Sequence, residues 1–430
     1  MKQSGRMVRI LLKGIRGLAL RKVREPRRCH GRKWSLWQML EVVLVGICAG
    51  AQSLAQVEAL TVDLSSAVRR VLRLGRRLPD TTMRDVLVKL SPTALRGVLW
   101  NQIKAAFRRK ALMPDGLPFG VVSLDGKGTA IKSWEHNYAQ KQRHAGGGGA
   151  SGVVRTFTCA LVSSRVPVCI DAAIIPPDTN EDGIFTRVVG RLLRLYRRCD
   201  LFRLVVADAG SCSLANATYL GQHGLRYLFT LNDKQKTLFK EAKRVLGPKA
   251  AAKALAVVEE KIGGGIERRT LFLTTEMEAF LDWTHLRTVL RVQREVLMDG
   301  RPAEVHDRYF VSSLRHDALT PAQWLKVIRG HWAAVENGCH KIADVAFAED
   351  KHPWITHDDQ GMLNVLILRR IAYNLVALAR GVTLRSDDNR NIPWLRFLRL
   401  FYNGLVAATW ANIIQAVAKS QAATATANEA

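Results

Sequence analysis

Two short apolar runs in this chain, VVSLDG and LVVADAG, carry an aspartate at their end, Asp125 and Asp208. A carboxylate at the carboxyl end of a buried strand stands where open α/β sheets place ligands. It also keeps out of the apolar interior, where an unpaired charge is very costly. Two such carboxylates brought together repel, and a hard divalent cation relieves that repulsion; Mg2+ typically takes one or two carboxylates, several waters and substrate phosphate. A third carboxylate completes a site for phosphoryl transfer by two metal ions about 3.5–4 Å apart, one serving the attacking oxygen and the other the leaving oxygen. The candidate is Glu336, within PAQWLKVIRGHWAAVENGCHKIADVAF. Ile328, Val335 and Ile342 recur every seven residues in that segment and are expected to face the core. Glu336 then lies about 100° around the helix from Val335, at the edge of the buried stripe, with His340 on the same side. Blander roles compete: a turn or capping aspartate before Gly or Ala-Gly, and a solvated helix glutamate. His331, Cys339 and His340 lack the spacing of a zinc site, and none is expected.

The elements that must position these acids follow from periodicity. Residues 34 to about 110 repeat apolar positions at helical spacing. The period then changes: PFGVVSLDG, GVVRTFTCALVSS and VPVCIDAAIIP read as strands, EDGIFTRVVGRLLRLYRRC as an amphipathic helix, LFRLVVADAG as a strand, LANATYLGQHG as a helix and RYLFTL as a strand. The middle of the chain is thus β-β-β-α-β-α-β, an α/β core, with a helix expected over 235–248. Strand-like pieces fill 249 to 315, and helix returns from Pro321. HAGGGGASG (144–152) reads as a glycine-rich turn without the context of a phosphate loop, and SQAATATANEA as a frayed tail.

The chain has 430 residues, is 48% hydrophobic and carries a net charge of +28, with 65 Lys and Arg against 37 Asp and Glu. Such a chain buries a real core, and its charge calls for a polyanion, most simply nucleic acid. Residues 1–33 hold twelve Lys or Arg and one acid, Glu25, and read as a DNA-contacting arm. The longest apolar run, LWQMLEVVLVGICAGAQSLAQVEAL, is interrupted by Gln38, Glu41 and Gln52 and reads as a buried helix; no membrane partner is expected. Seven cysteines, none spaced C-x-x-C, fit free thiols in a reducing, cytoplasmic compartment.

Several ordered segments carry a family resemblance. LPDTTMRDVLVKL, LDGK, TNEDG, VVADAG, YLFTLNDKQKTL, GGGIERR, YFVSSL and above all HWAAVENGCHKIADVAFAED resemble the successive motifs of DDE transposases of bacterial insertion sequences, in the H-repeat-associated group. The resemblance runs from about Trp34 to Ala379. It implies a ribonuclease H-like mixed-sheet core with a β-rich insertion, between a helical N-terminal and a helical C-terminal region. It divides the chain into a basic arm (1–33), a helical DNA-binding region (34–115), a first core part (116–248), the insertion (249–315), a helical core part carrying the Glu (316–385), and a last helix with its tail (386–430). It implies Asp125, Asp208 and Glu336 as catalytic metal ligands for Mg2+, with Mn2+ as a substitute. Hydrolysis at transposon ends and attack of the freed 3′-hydroxyl on target DNA would follow. The partners would be double-stranded DNA, as terminal inverted repeats and target, and further copies of the chain on paired ends, near the bacterial nucleoid. Lys127, Lys234, Arg268, Arg269, Arg329, Trp332 and His340 are the DNA-contact candidates. The chain departs from the group at Asn232–Gln235, where the Lys is displaced, at glycines 263–265, and at Lys341, which replaces a tryptophan. The other readings are an inactive DNA-binding descendant and a metal-dependent nuclease on the same fold.

Overall fold

The computed structural model describes residues 2–29, 32–131, 136–143, 150–247, 253–263, 265–298, 301–384, 392–411 and 413. Most of the glycine-rich turn and the C-terminal tail lie outside the described residues.

Six helices open the chain: α1 (Lys2–Arg16), α2 (Leu36–Cys48), α3 (Leu54–Asp63), α4 (Ser66–Leu72), α5 (Asp80–Lys89) and α6 (Pro92–Arg108). In α1, Met7, Val8, Leu11, Leu12 and Ile15 are buried, one apolar stripe at helical spacing beneath a basic face. That stripe packs on α2 and on the late helices α12 (Asp359–Leu378) and α13 (Trp394–Ala407). At the crossing with α13 the approach is close: a Cβ on Gly404 would stand 2.6 Å from the Ser4 carbonyl oxygen. The first residues, read from their charge as a DNA-contacting arm, thus begin as a helix docked on the helical layer. Burying five apolar side chains outweighs solvating the chain around them.

The core is one mixed ten-stranded sheet in the order β2-β3-β1-β5-β6-β10-β9-β8-β7, with β4 paired to β3. Its strands are β1 (Val121–Ile131), β2 (Ala139–Arg143), β3 (Ala150–Leu161), β4 (Val168–Ile174), β5 (Leu204–Ala207), β6 (Arg226–Leu231), β7 (Ala256–Ile262), β8 (Gly265–Thr274), β9 (Thr288–Met298) and β10 (Arg301–Ser312). Two departures from the sequence reading matter. The strand of Asp125 runs six residues beyond it, to Ile131, and β2 adds a strand that periodicity did not reveal. The strands of 249–315 also do not stand apart: β10 pairs with β6, so β7–β10 continue the core sheet.

The central strands β1, β5 and β6 are parallel neighbours and are covered on both faces, as parallel strands must be. On β5, Val205 and Ala207 join the large core beneath α7 (Glu181–Tyr196), α8 (Leu214–Gln222) and α12. Leu204 and Val206 join a second core with Trp324, Val327 and Ile328 of α10 (Pro321–His331). Gly120 sets β1 against the chain entering β5, because a Cβ there would overlap the Leu201 carbonyl oxygen. Gly120→Ala is expected to destabilise the protein by about 1–3 kcal/mol, the usual cost of overpacking, read as a lowered urea midpoint with unchanged slope.

Helix α12 joins the helical layer to the sheet. Asn364 Nδ2 donates to the carbonyls of Leu87 and Leu90 at 2.7 and 2.6 Å. Nearly three turns later, Asn374 accepts from Cys169 N and donates to Cys169 O, both at 2.8 Å. Residues 359–383 form the one described segment long and apolar enough to cross a membrane, and 94% of its apolar window is buried inside the protein. The earlier apolar run is likewise interior: in α2 every residue from Gln38 to Cys48 is buried.

Candidate active site

The register of the parallel pair decides how the two aspartates meet. Leu124 of β1 lies opposite Ala207 of β5, so the next residues, Asp125 and Asp208, stand at the same level on adjacent strands, roughly 4.8 Å apart in the sheet. Side chains alternate along a strand. Asp125 therefore shares the face of Val121 and Ser123, and Asp208 that of Val206, the face covered by α10. Ser123 and His331, the last residue of α10, are joined by a 2.5 Å hydrogen bond between Oγ and Nδ1. This fixes where the chain leaves α10.

It leaves as a π-helix, Trp332–His340, followed by α11 (Lys341–Phe347). Wider winding of this kind recurs at functional sites. It changes the face on which Glu336 emerges: the angle computed for an ordinary α-helix does not apply. Val335 is still fully buried and Ile328 nearly so, while Ile342 is half-buried. Glu336 is exposed at the rim of a cleft of about 510 Å3 that Asp125, Gly126, Lys127, His340 and Asp344 also line. Partial desolvation by the walls of the cleft and then the Asp125 carboxylate raise the Glu336 carboxyl above its ordinary value, so it feels the first aspartate. His340 is buried, with Nδ1 3.4 Å from Asp125 Oδ2, and its Nε2 has no hydrogen-bond partner. His331 is held below its ordinary pKa by burial, which favours the neutral ring.

A fourth carboxylate stands with these, and the sequence offered only the TNEDG segment as a sign of it. Asn180 caps α7 by accepting from Gly183 N at 3.0 Å. Asp182 accepts from Asn216 Nδ2 at 2.7 Å and ties α7 to α8. Between them Glu181 projects over the strand ends. Burial, then the charges of Asp208 and Asp125, push its carboxyl up to about 7, against the pull of Lys234. Its Oε2 is buried without a hydrogen-bond partner.

The DNA-contact candidates divide by what they touch. Lys127 is 7% exposed and paired with Asp344, with Glu349 at 3.2 Å and with Asp350 at 3.1 Å. Three carboxylates claim its charge, and it also lines the cleft. His340 is turned inward to Asp125. Trp332 is half-buried against Phe310, with the Arg308 guanidinium 4.4 Å over its ring. Arg268 pairs with Glu259 at 2.7 Å, Arg269 with Glu267 and with Glu260 at 3.4 Å, and Arg329 with Glu260. These three belong to ion-pair ladders on the sheet's far strands and at the foot of α10. Lys234 is exposed and close enough to act on Glu181.

The acids after Glu336 hold the site's wall. Glu349 is fully buried and bidentate with Arg370 of α12, at 2.8 Å to both nitrogens. Burial would raise its carboxyl, but Arg370 and then Lys127 outweigh that and hold it well below the usual carboxylate range. A chain of charge thus runs from β1 through Lys127 and Glu349 to α12.

The carboxylates of Asp125, Asp208, Glu336 and Glu181 are hard oxygen donors, and Glu181 Oε2 is without a partner; such a set would suit Mg2+ or Mn2+ rather than zinc. Among the described residues no three His, Cys, Asp or Glu side chains are placed to share a metal ion as they stand.

Residues 18–101 match the DDE_Tnp_1-associated family. Among solved structures, the chain is similar to a piggyBac transposase in a synaptic complex with hairpin DNA, determined by cryo-electron microscopy. The TM-score is 0.44 at 10% identity, over 96% of this chain and 81% of that one. No curated protein is significantly similar to it in sequence. The family-model match falls on the helical region that precedes the sheet, residues 18–101.

Proposed function

We propose that the chain is a DNA transposase of the H-repeat-associated group, with a ribonuclease H-like core in which Asp125, Asp208 and Glu336 hold Mg2+. One observation carries this reading. The β1–β5 register sets the two aspartates side by side on the face over which the π-helix presents Glu336. Bound there, the metal would activate the attacking water or 3′-hydroxyl and stabilise the leaving oxygen of a phosphodiester. The residues of the chain do the rest. The three carboxylates place the hard-oxygen site at one end of the strands. The buried Ser123–His331 bond and the Lys127–Glu349–Arg370 chain keep β1 and the π-helix in register. The excess of basic residues, net +28, draws in the polyanionic substrate. Double-stranded transposon ends and target DNA are the substrates, and copies of the chain assemble on paired ends in the bacterial cytoplasm.

The displaced Lys234 and the glycines at 263–265 favour a second reading, a descendant that binds DNA without cutting it. The deciding experiment incubates the full chain with labelled DNA taken from either side of its gene, together with an unlabelled target, in Mg2+, Mn2+ or chelator. Metal-dependent cleavage with joined products is the expected result. Cleavage without joining would reduce the activity to that of a nuclease, and binding without cleavage would favour the non-cutting descendant.

A further inference from the structure

Building on the assignment of Asp125 and Asp208 as metal ligands, we propose that Glu181 is a fourth carboxylate ligand of the same cation site. The geometry comes from two glycines. Gly126 follows Asp125, and a Cβ there would overlap Glu181 Oε1. Gly210 lies two residues after Asp208, and a Cβ there would sit 3.0 Å from both Asp208 Oδ1 and Glu181 Oε2. Each catalytic aspartate is thus followed by a residue whose missing side chain leaves room for one and the same carboxylate. Neither glycine is required by its backbone, since neither has a positive φ. The space itself is what they provide.

Around that space the polar groups are left incomplete. Glu181 Oε2 is buried and unpartnered, and so is Nε2 of His340, a residue 8% exposed whose Nδ1 stands 3.4 Å from Asp125 Oδ2. Buried polar atoms without partners are rare and call for an explanation. A cation explains both the crowding of like charges and the vacant oxygen lone pairs. A purely structural Glu181, serving the start of α7 through the helix dipole, would not explain why its carboxylate lies beside that of Asp208.

The experiment uses the full chain and Mn2+ alone, with free Mn2+ followed by electron paramagnetic resonance, and thermal melting recorded without metal. The variants are Glu181→Gln, Gly126→Ala and Asp208→Asn. Glu181→Gln keeps the size of the side chain and is expected to weaken Mn2+ binding at least tenfold without lowering the metal-free melting temperature. Gly126→Ala keeps the carboxylate but displaces it, and is expected to weaken binding similarly, which carries the test if the Gln variant fails to fold. Wild-type affinity in Glu181→Gln and Gly126→Ala, with affinity lost in Asp208→Asn, would overturn the role of Glu181 and leave the metal site standing. A lowered metal-free melting temperature with unchanged affinity would make Glu181 a helix-end residue only. Unchanged affinity in all three variants, Asp208→Asn included, would overturn the underlying metal assignment itself.

Discussion

Asp208→Asn is expected to slow metal-dependent DNA strand cleavage at least a thousandfold while leaving the metal-free protein as stable as the wild type or more so. Losing a charged metal ligand forfeits several kcal/mol of transition-state stabilisation, and each 1.36 kcal/mol is about tenfold in rate. The stability half of the expectation comes from the neighbours. Asp208 neighbours Asp125 across the strand pair and lies beside Glu181, whose carboxyl is raised by burial and then by the charges of the two aspartates. Removing one charge relieves the repulsion among them, and Gly210 N still finds an acceptor in the Asn side-chain oxygen where it now bonds Asp208 Oδ1 at 2.9 Å. Glu336→Gln is expected to lose activity comparably with even less effect on folding, because Glu336 is exposed. Product gels and melting curves on the same preparations check both halves. Cleavage at wild-type rate in both variants would mean that the reaction uses other carboxylates.

The second large effect concerns folding. Arg370→Met is expected to destabilise the protein by about 3–5 kcal/mol, the cost of leaving a buried charge without its partner. Arg370 and Glu349 are 1% and 2% exposed, so solvent does not screen the loss. Acid exposes the same pair. The Glu349 carboxyl lies well below its ordinary value of 4.5 in the folded protein. A carboxylate of lowered pKa contributes its stability above the unfolded value and loses it as the pH falls towards the folded one. Wild-type stability should therefore fall below about pH 4.5, and Arg370→Met should flatten that part of the profile. Urea unfolding at several pH values measures both. An Arg370→Met midpoint equal to the wild type would show that the pair contributes nothing net. Because β1 hangs on this chain through Lys127, cleavage should also weaken in the variant at temperatures where it remains folded.

The placement of the candidate acids was legible where it depends on local sequence. Asp208 ends a strand that its apolar run announced, and Asp125 lies in a run equally clear, although β1 continues beyond it. That continuation was hidden because GKGTAI looks like a loop; Lys127 tolerates a buried strand only through acids more than two hundred residues away. Glu336 was readable from its motif but not from helical geometry, since the π winding alters the angle. Glu181 showed in the sequence only as part of TNEDG, for a different reason. In sequence it is a first-turn helix glutamate, and only the folded approach of Gly126 and Gly210 gives it a place among the aspartates. Charge likewise overstated the first helix, whose apolar stripe, read at 3.6 residues per turn, already held the better clue.

The pairing of α1 with α13 has a consequence for synthesis. Residues 2–16 leave the ribosome long before 394–407 exist, and at about 5–20 residues per second the interval is roughly 20–80 seconds. For that time Met7, Val8 and Leu11 lack part of the surface that finally covers them. The nascent helical domain must wait for the end of the chain, with a sticky helix near its front. Chaperone capture during translation should therefore peak before α13 emerges, and ribosome-bound chains stopped short of residue 394 should be the most prone to aggregate.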